Sequence, residues 1–416
     1  MKTASPDSSR LPAPSATQGD SSRSRWLLLL PLAIAAILIV ISVAVRIAAR
    51  GVITSDLDFH ILPWYAKLQK HGPLVGLGKD FYNYTPPYLY ILAAATLTSS
   101  FLHPVIAVKL VSTAFDLYAA YMIYRIVRLK YPSGYLPHLA GAIFFAAPTV
   151  IANSGVWGQA DSTYTAFLLT SLFFLLTSRP LPAIVFVGIA LAFKPQAIFV
   201  APFVLLLILW RKIPWYYLAL VPIVYALLMW PAVAAGRTWA EVLTTYTGQA
   251  GSGKGLTHNA PTLYVFAPKS AFEQLIVPAV VLAILVAILW VLLTWRRTKR
   301  NGHATMLLLA LISVTIVPFF LPNMHDRYFY PADAISIALA FLMPELWLIP
   351  ILFQVASGLS YSIYLLSASP DNLTVAAFIV IGALVLMLRR QVLLRDLGGD
   401  GVPLANPGTQ PHSLHE

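Results

Sequence analysis

The stretch 26–49, WLLLLPLAIAAILIVISVAVRIAA, decides the fold class. It is apolar over the length a helix needs to cross a bilayer, roughly 20 residues. A cleaved signal peptide has an apolar core of only about 7–15 residues and a small-residue cleavage site after it. This run is longer and no such site follows, so it is expected to remain as the first transmembrane helix. Further apolar runs follow at 105–128, 138–153, 161–178, 182–193, 196–210, 214–235, 276–295, 303–321, 328–343, 346–366 and 373–388. With the first they predict an all-α polytopic membrane protein of about twelve transmembrane helices, although several runs are shorter than roughly 20 residues. The stretch 86–101 is apolar but bounded by prolines and by Ser99-Ser100, and reads as a helix lying in or dipping into the interface.

Composition agrees. Of the 416 residues 58% are hydrophobic and 11% charged, with mean hydropathy +0.75. Soluble domains carry roughly 45–50% apolar and about 25% charged residues, which excludes a soluble enzyme. No cysteine is present, which removes disulfide scaffolds, thiolate metal sites and cysteine nucleophiles. The net charge of +12 does not come from one basic patch, so it does not point to nucleic acid. The basic residues fall in short clusters between apolar runs, where membrane topology places them.

Those clusters orient the chain. With the N-terminus in the cytoplasm, the inner segments hold Arg125, Arg128 and Lys130, then Arg179, then Arg211 and Lys212. Arg296, Arg297, Lys299 and Arg300 follow, and finally Arg389, Arg390 and Arg395. All obey the positive-inside bias. Both ends then read as disordered cytoplasmic tails, 1–25 and 391–416, around a membrane domain at 26–390 in the cell membrane. Long outer loops are expected at 50–104 and 236–275, the first containing interfacial helices.

The polar residues that topology does not explain gather on the outer side. The first loop offers Asp56, Asp58, His60, Tyr82 and Tyr84. Asn153-Ser154-Gly155-Val156-Trp157-Gly158-Gln159-Ala160-Asp161 joins two runs, and Lys194-Pro195-Gln196 turns between two more. The second loop holds Lys254, His258 and Asn259, and a later turn reads Asn323-Met324-His325-Asp326-Arg327-Tyr328. Ionisable groups at membrane depth cost roughly 2.5–3.5 kcal/mol each on insertion scales and suggest function. Each has a plainer reading too. Asp161 suits a helix N-cap, the tyrosines an aromatic belt, Lys194 snorkelling, and the 325–328 run a solvated loop with an internal ion pair. Co-location carries the functional reading. Residues two apart share a side only in extended chain; Ser55 and Pro63 favour a non-helical start, which lets Asp56 and Asp58 face one site. No metal-ligand spacing of the H-E-x-x-H kind and no nucleotide-phosphate loop after a strand is present.

These motifs together resemble the GT-C superfamily of integral-membrane glycosyltransferases, in particular the bacterial mannosyltransferases similar to the GPI-anchor mannosyltransferases. The resemblance runs over roughly 26–390. It rests on Thr54-Ser55-Asp56-Leu57-Asp58 with Pro63-Trp64-Tyr65, Tyr84-Thr85-Pro86-Pro87-Tyr88-Leu89-Tyr90, Gly155-Val156-Trp157-Gly158-Gln159-Ala160-Asp161-Ser162, Phe193-Lys194-Pro195-Gln196 and Met324-His325-Asp326-Arg327-Tyr328. It implies a polyprenyl-phosphate-sugar donor, typically carrying mannose, a glycolipid or glycan acceptor, and transfer with inversion on the extracytoplasmic face. The carboxylate after the first span is then the general base, which maps onto Asp56 or, since this chain has two acids there, Asp58. Arg327 suits the donor phosphate through its planar fork, Lys194 as a point charge, and His325 through a hydrogen bond. Gln159, Asp161 and Asn259 carry groups that sugar hydroxyls need, Trp157 offers a flat face to a pyranose ring, and Tyr84 stands beside them. A monophosphate donor beside lysine and arginine has less need of a divalent cation, so one is not favoured, and metal dependence stays open. The rival readings are a transporter or flippase of lipid-linked sugars, which would bind near the midplane through broken helices, and a polymerase acting on lipid-diphosphate glycans.

Overall fold

The computed structural model describes residues 19–251, 255–297 and 302–396. Lys254, Lys299, Arg300 and most of both expected tails lie outside these residues. About 80% of the described residues are helical, and the bundle belongs to an all-α polytopic membrane protein. Every one of the apolar runs forms helix. Among the described residues, seven helices are long and apolar enough to cross a membrane: Leu29–Ala48, Pro104–Arg128, Trp215–Ala234, Phe272–Arg296, His303–Phe320, Pro344–Leu365 and Asp371–Leu394. An eighth is reached if Leu136–Phe145 and Pro148–Trp157, bent by 44° across their break, count as one span. The expected twelve therefore include shorter pieces, Asp161–Leu176, Pro180–Phe193, Pro195–Leu209 and Tyr330–Leu342. Proline explains much of this segmentation. It opens the helices at 104, 148, 180 and 195, where its missing N–H has no intrahelical partner to lose.

Burial sorts the helices. His303–Phe320 is buried at nearly every position, as befits a helix at the centre of a bundle. Leu29–Ala48 and Phe272–Arg297 instead leave leucine, isoleucine and valine exposed, the face a bilayer covers. Helix extends into both stretches expected as tails. The first helix already begins at Gly19, because no further glycine and no proline interrupts the chain from Asp20 to Leu30. The last continues to Asp396, through residues that favour helix.

The loop at 50–104 contains a π-helical turn Leu57–Ile61, helices Leu62–His71 and Pro73–Leu77, and helix Pro86–Thr96. The last has 11 residues, too few to span, and seven of them are buried, so it packs into the core. The non-helical start expected before Pro63 is not found: residues 55–61 are helical. Pro63 lies in the first turn of Leu62–His71, where it is tolerated and does not break the preceding turn. The loop at 236–275 is fastened by a two-residue parallel ladder, Thr257–His258 against Met324–His325.

Candidate active site

Six chain segments line one cavity of about 400 Å³, and four of them make the network around Asp56 and Arg327. The first ends the stretch after the initial span. Asp56 precedes the Leu57–Ile61 turn, whose Leu57 and Ile61 are buried. Asp58, two residues on, points away, exposed and absent from the cavity wall, because helical chain separates neighbours two apart. The sequence left these two acids equivalent; the π-helical turn separates them.

The second segment is the π-helical turn Ile151–Trp157, ended by Gly158 in the left-handed region at φ 76°. That reversal aims two donors at one atom: Trp157 Nε1 at 3.1 Å and Gln159 Nε2 at 2.8 Å both donate to Asp56 Oδ2. The Asp56 backbone N–H donates to the Tyr364 hydroxyl at 2.8 Å. Trp157 is fully buried, with Tyr364 stacked on it at 4.4 Å and Arg327 over its ring at 5.1 Å. Its flat face is taken, so it is not the platform for a sugar ring that its residue type suggested; its indole N–H instead orients Asp56.

The third segment carries Lys194. Proline restricts the residue before it to extended backbone, and Lys194, before Pro195, has φ −149° and ψ 138°. This reaches its Nζ to Asp161 Oδ1 at 2.7 Å. Asp161 is wholly buried, accepts from Asn153 Nδ2 at 3.1 Å, follows the N-cap position, which Ala160 takes, and does not line the cavity. It is a counter-ion to the cations and not a contact for sugar hydroxyls.

The fourth segment is the 3₁₀ turn Asp326–Phe329. Arg327 lies 3.3 Å from Asp56, 3.5 Å from Asp161 and 3.5 Å from Asp326. Its buried Nε has no hydrogen-bond partner. Burial works against its charge, but Asp161, Asp326, Tyr84 and Asp56 together hold its pKa above the ordinary value. Burial raises the Asp326 carboxyl to about 7, Asp56 and Asp161 adding to the shift and Arg327 opposing it. Burial, with Arg327, His258 and Lys194 nearby, lowers His325 to about 3, so it is a neutral imidazole stacked on His258 at 4.7 Å.

Tyr84, Gln159, Lys194, His325, Arg327 and Asp56 thus line the cavity. Asn259 does not. It adopts a left-handed φ of 58° and secures the loop through its backbone, whose carbonyl accepts from Ser360 Oγ. Trp64, Gln196 and Tyr246 also line the wall; the first two lie in motifs singled out above, whereas Tyr246 and Tyr364 give no local signal. Among the described residues, no three His, Asp or Glu side chains are grouped to hold a metal ion.

A second, apolar groove of about 650 Å³ borders the same Lys194 turn. Leu191, Ala197 and Ile198 form one wall, and Leu218, Ile284 and Leu321 belong to the others.

An all-α bundle of membrane-length helices with a buried, charge-lined cavity defines a polytopic membrane protein built around a polar site. The sequence profile of glycosyltransferase family 87 matches residues 82–318, more than half of the chain, and the protein belongs to that family. The matched stretch contains Tyr84, Trp157, Gln159, Asp161 and Lys194; Asp56 and Arg327 lie on either side of it. No curated protein matches the chain.

Proposed function

We propose that this glycosyltransferase moves a hexose, mannose by the resemblance, from a polyprenyl-phosphate donor to a glycolipid or glycan acceptor, inverting the anomeric centre, on the extracytoplasmic face of the cell membrane. The observation that carries the reading is Asp56, oriented through one oxygen by three donors on the wall of a cavity that Arg327 and Lys194 also line. The acceptor hydroxyl oxygen attacks the anomeric carbon as the bond from that carbon to the phosphate oxygen breaks. The hydroxyl proton passes to Asp56, a task for a carboxylate within about 2.6–3.2 Å of the hydroxyl. The lipid phosphate leaves as an anion and needs no acid.

Arg327 offers that anion a guanidinium on the cavity wall, and Lys194 a cation already desolvated, with 7% of its side chain exposed. His325, neutral, supplies a hydrogen bond without adding charge. Tyr84 and Gln159 are left for sugar hydroxyls. The apolar groove against the Lys194 turn suits the donor's polyprenyl chain, whose transfer from water is favourable by roughly 0.8 kcal/mol per buried CH₂. The extracytoplasmic orientation draws support from the far end of the bundle, where Lys130 donates to Leu342 O at 2.8 Å and Arg390 pairs with Glu345. That is the basic end, away from the cavity, as the positive-inside bias requires.

The test is transfer of radiolabelled mannose from synthetic polyprenyl-phosphate mannose to a membrane lipid extract. The purified wild type is compared with Asp56→Asn, Asp58→Asn and Arg327→Ala. Loss in Asp56→Asn and Arg327→Ala but not in Asp58→Asn is expected. Full activity in Asp56→Asn overturns the assignment of the base. No transfer by the wild type from any lipid-phosphate sugar overturns the reaction, and transport of lipid-linked sugars takes its place.

A further inference from the structure

Two buried charged residues take no part in the chemistry above. Helix Pro104–Arg128 carries Lys109, Ser112 and Asp116, all buried, at helical spacings of three and four that place them on one face. An ionisable residue inside a membrane span costs roughly 2.5–3.5 kcal/mol on insertion scales, so its presence asks for a role. Neither Lys109 nor Asp116 lines the cavity.

What they touch are the segments that present the cavity's side chains. Lys109 Nζ donates at 2.7 Å to the carbonyl of Ala49 and at 2.7 Å to that of Val52. These carbonyls end the first span and begin the run to Asp56, where a helix leaves acceptors unpaired. Asp116 Oδ2 accepts from Arg46 at 2.7 Å and from Ser154 Oγ. Ser154 belongs to the turn that carries Trp157 and leads to Gln159. Asp116 Oδ1 accepts from the Tyr330 hydroxyl at 2.9 Å, three residues beyond Arg327. The Ser112 carbonyl accepts from Ser162 Oγ at 3.1 Å, beside Asp161. The fit around Arg46 is close: a Cβ on Gly155 would meet its Cγ at 2.9 Å.

We propose that Lys109 and Asp116 are positioning residues, holding Asp56, Gln159 and Arg327 in mutual register from behind without touching substrate. The proposal rests on the reading of Asp56 as the base. A carboxylate tied to both the Ser154 turn and the Arg327 segment fixes the separation of the groups those segments deliver, and the lysine fixes the third. Substitution then lowers turnover more than donor affinity.

The absence of cysteine makes the register measurable. In Asp58→Cys protein a nitroxide spin label sits on the exposed side of the Leu57–Ile61 turn. Lys109→Met is expected to mobilise that label and to lower kcat by about tenfold to a hundredfold, the scale of a misplaced catalytic group, with the donor KM near that of the wild type. Lys109→Arg restores both readouts, because a guanidinium can still donate to the two carbonyls. Ser154→Ala, which removes one hydroxyl, shifts both in the same direction by less. A wild-type label spectrum in folded Lys109→Met and Ser154→Ala overturns the proposal, as does a mobile label with unchanged kcat. Failure of the wild type to transfer sugar counts instead against the glycosyl-transfer reading, and the label spectrum still decides whether these residues order the turn.

Discussion

The protein contains two clusters of buried charge, and they are built differently. Around Asp116 one cation, Arg46, sits 2.7 Å from its carboxylate and also donates to the Phe145 carbonyl at 3.1 Å. The short charge-assisted bond to Asp116 makes this a fastening, and the polar cavity does not reach it. Around Arg327 three carboxylates share one guanidinium at 3.3–3.5 Å, none at close range. One of the three, Asp56, has 27% of its side chain exposed. A cation on the cavity wall, as Arg327 is, can meet one more anion; Arg46, which the cavity does not reach, cannot. The difference separates a cluster that holds the fold from one arranged for a ligand.

The largest expected effect falls on Asp56. Asp56→Asn keeps the shape, removes the proton acceptor and lowers kcat by about 10²–10⁴-fold, the contribution of a positioned acid or base. Thermal unfolding in detergent stays near that of the wild type, because a partly exposed carboxylate adds little stability. Asp58→Asn leaves both quantities unchanged. An unfolding temperature that drops sharply in Asp56→Asn would make this cluster a fastening like the other.

Asp161 stands between the two kinds. It is fully buried and holds Lys194 at 2.7 Å, so it is expected to behave like Asp116. Asp161→Asn leaves Lys194 without its close counter-charge, and removing one partner of a buried pair costs about 3–5 kcal/mol. Denaturation should show a stability loss larger than that of Asp56→Asn. Activity alone failing, with stability intact, would move Asp161 into the ligand-facing group.

How much of this was legible depends on the range of the interaction that decides it. Local rules placed the helical runs and the turn at Lys194-Pro195-Gln196, and they identified Asp56, Gln159, His325 and Arg327 as residues that the structure gathers. They did not separate Asp56 from Asp58, because a π-helical turn leaves no periodic pattern in a few residues. They offered Trp157 to a sugar because nothing near it in sequence reveals that Tyr364 covers its ring. Asn259 was chosen by residue type, whereas its position is set by backbone pairing with His325. Asp116 did leave a signal, an acid inside an apolar run, and its partners Arg46, Ser154 and Tyr330 are distant in the chain. The span count is less legible than the helices themselves: several runs are shorter than roughly 20 residues, and interior packing, which hydropathy does not see, accommodates them.

The effect of pH tests the loose cluster at Asp326. Its carboxyl is raised to about 7 from an ordinary value near 3.8, so between these values the folded protein holds a proton the unfolded chain has lost. Stability from this group is therefore greatest below about pH 4 and falls as pH rises to about 7. His325, lowered to about 3 from near 6.5, acts oppositely: its contribution is complete above about pH 6.5 and is lost as pH falls toward 3. The two oppose each other from about pH 4 to 6.5, leaving a decline near pH 6.5–7 in the wild type. Asp326→Asn removes this group's share of the decline, so the variant gains on the wild type as pH rises from about 4 to about 7. Unfolding midpoints measured from about pH 4 to 8 distinguish the two curves, and identical curves refute the assignment.

The smallest effect is expected at Gly158, where strain can be separated from chemistry. Its φ of 76° lies where a Cβ costs about 1–2 kcal/mol, and the added methyl would stand 3.4 Å from Leu57 Cδ1. Gly158→Ala should therefore lose about that much stability. Two readouts then differ. If the turn relaxes to relieve the strain, Trp157 Nε1 and Gln159 Nε2 no longer converge on Asp56 Oδ2, and kcat falls further than so small a loss of stability accounts for. If neighbouring packing holds the turn, stability falls and kcat does not. The loosely bonded cluster has only bonds of 2.8–3.3 Å on Asp56 to resist that relaxation, so the first outcome is expected. The second would mean that the Ser154 attachment to Asp116, behind the turn, fixes the active carboxylate more firmly than the donors in front of it.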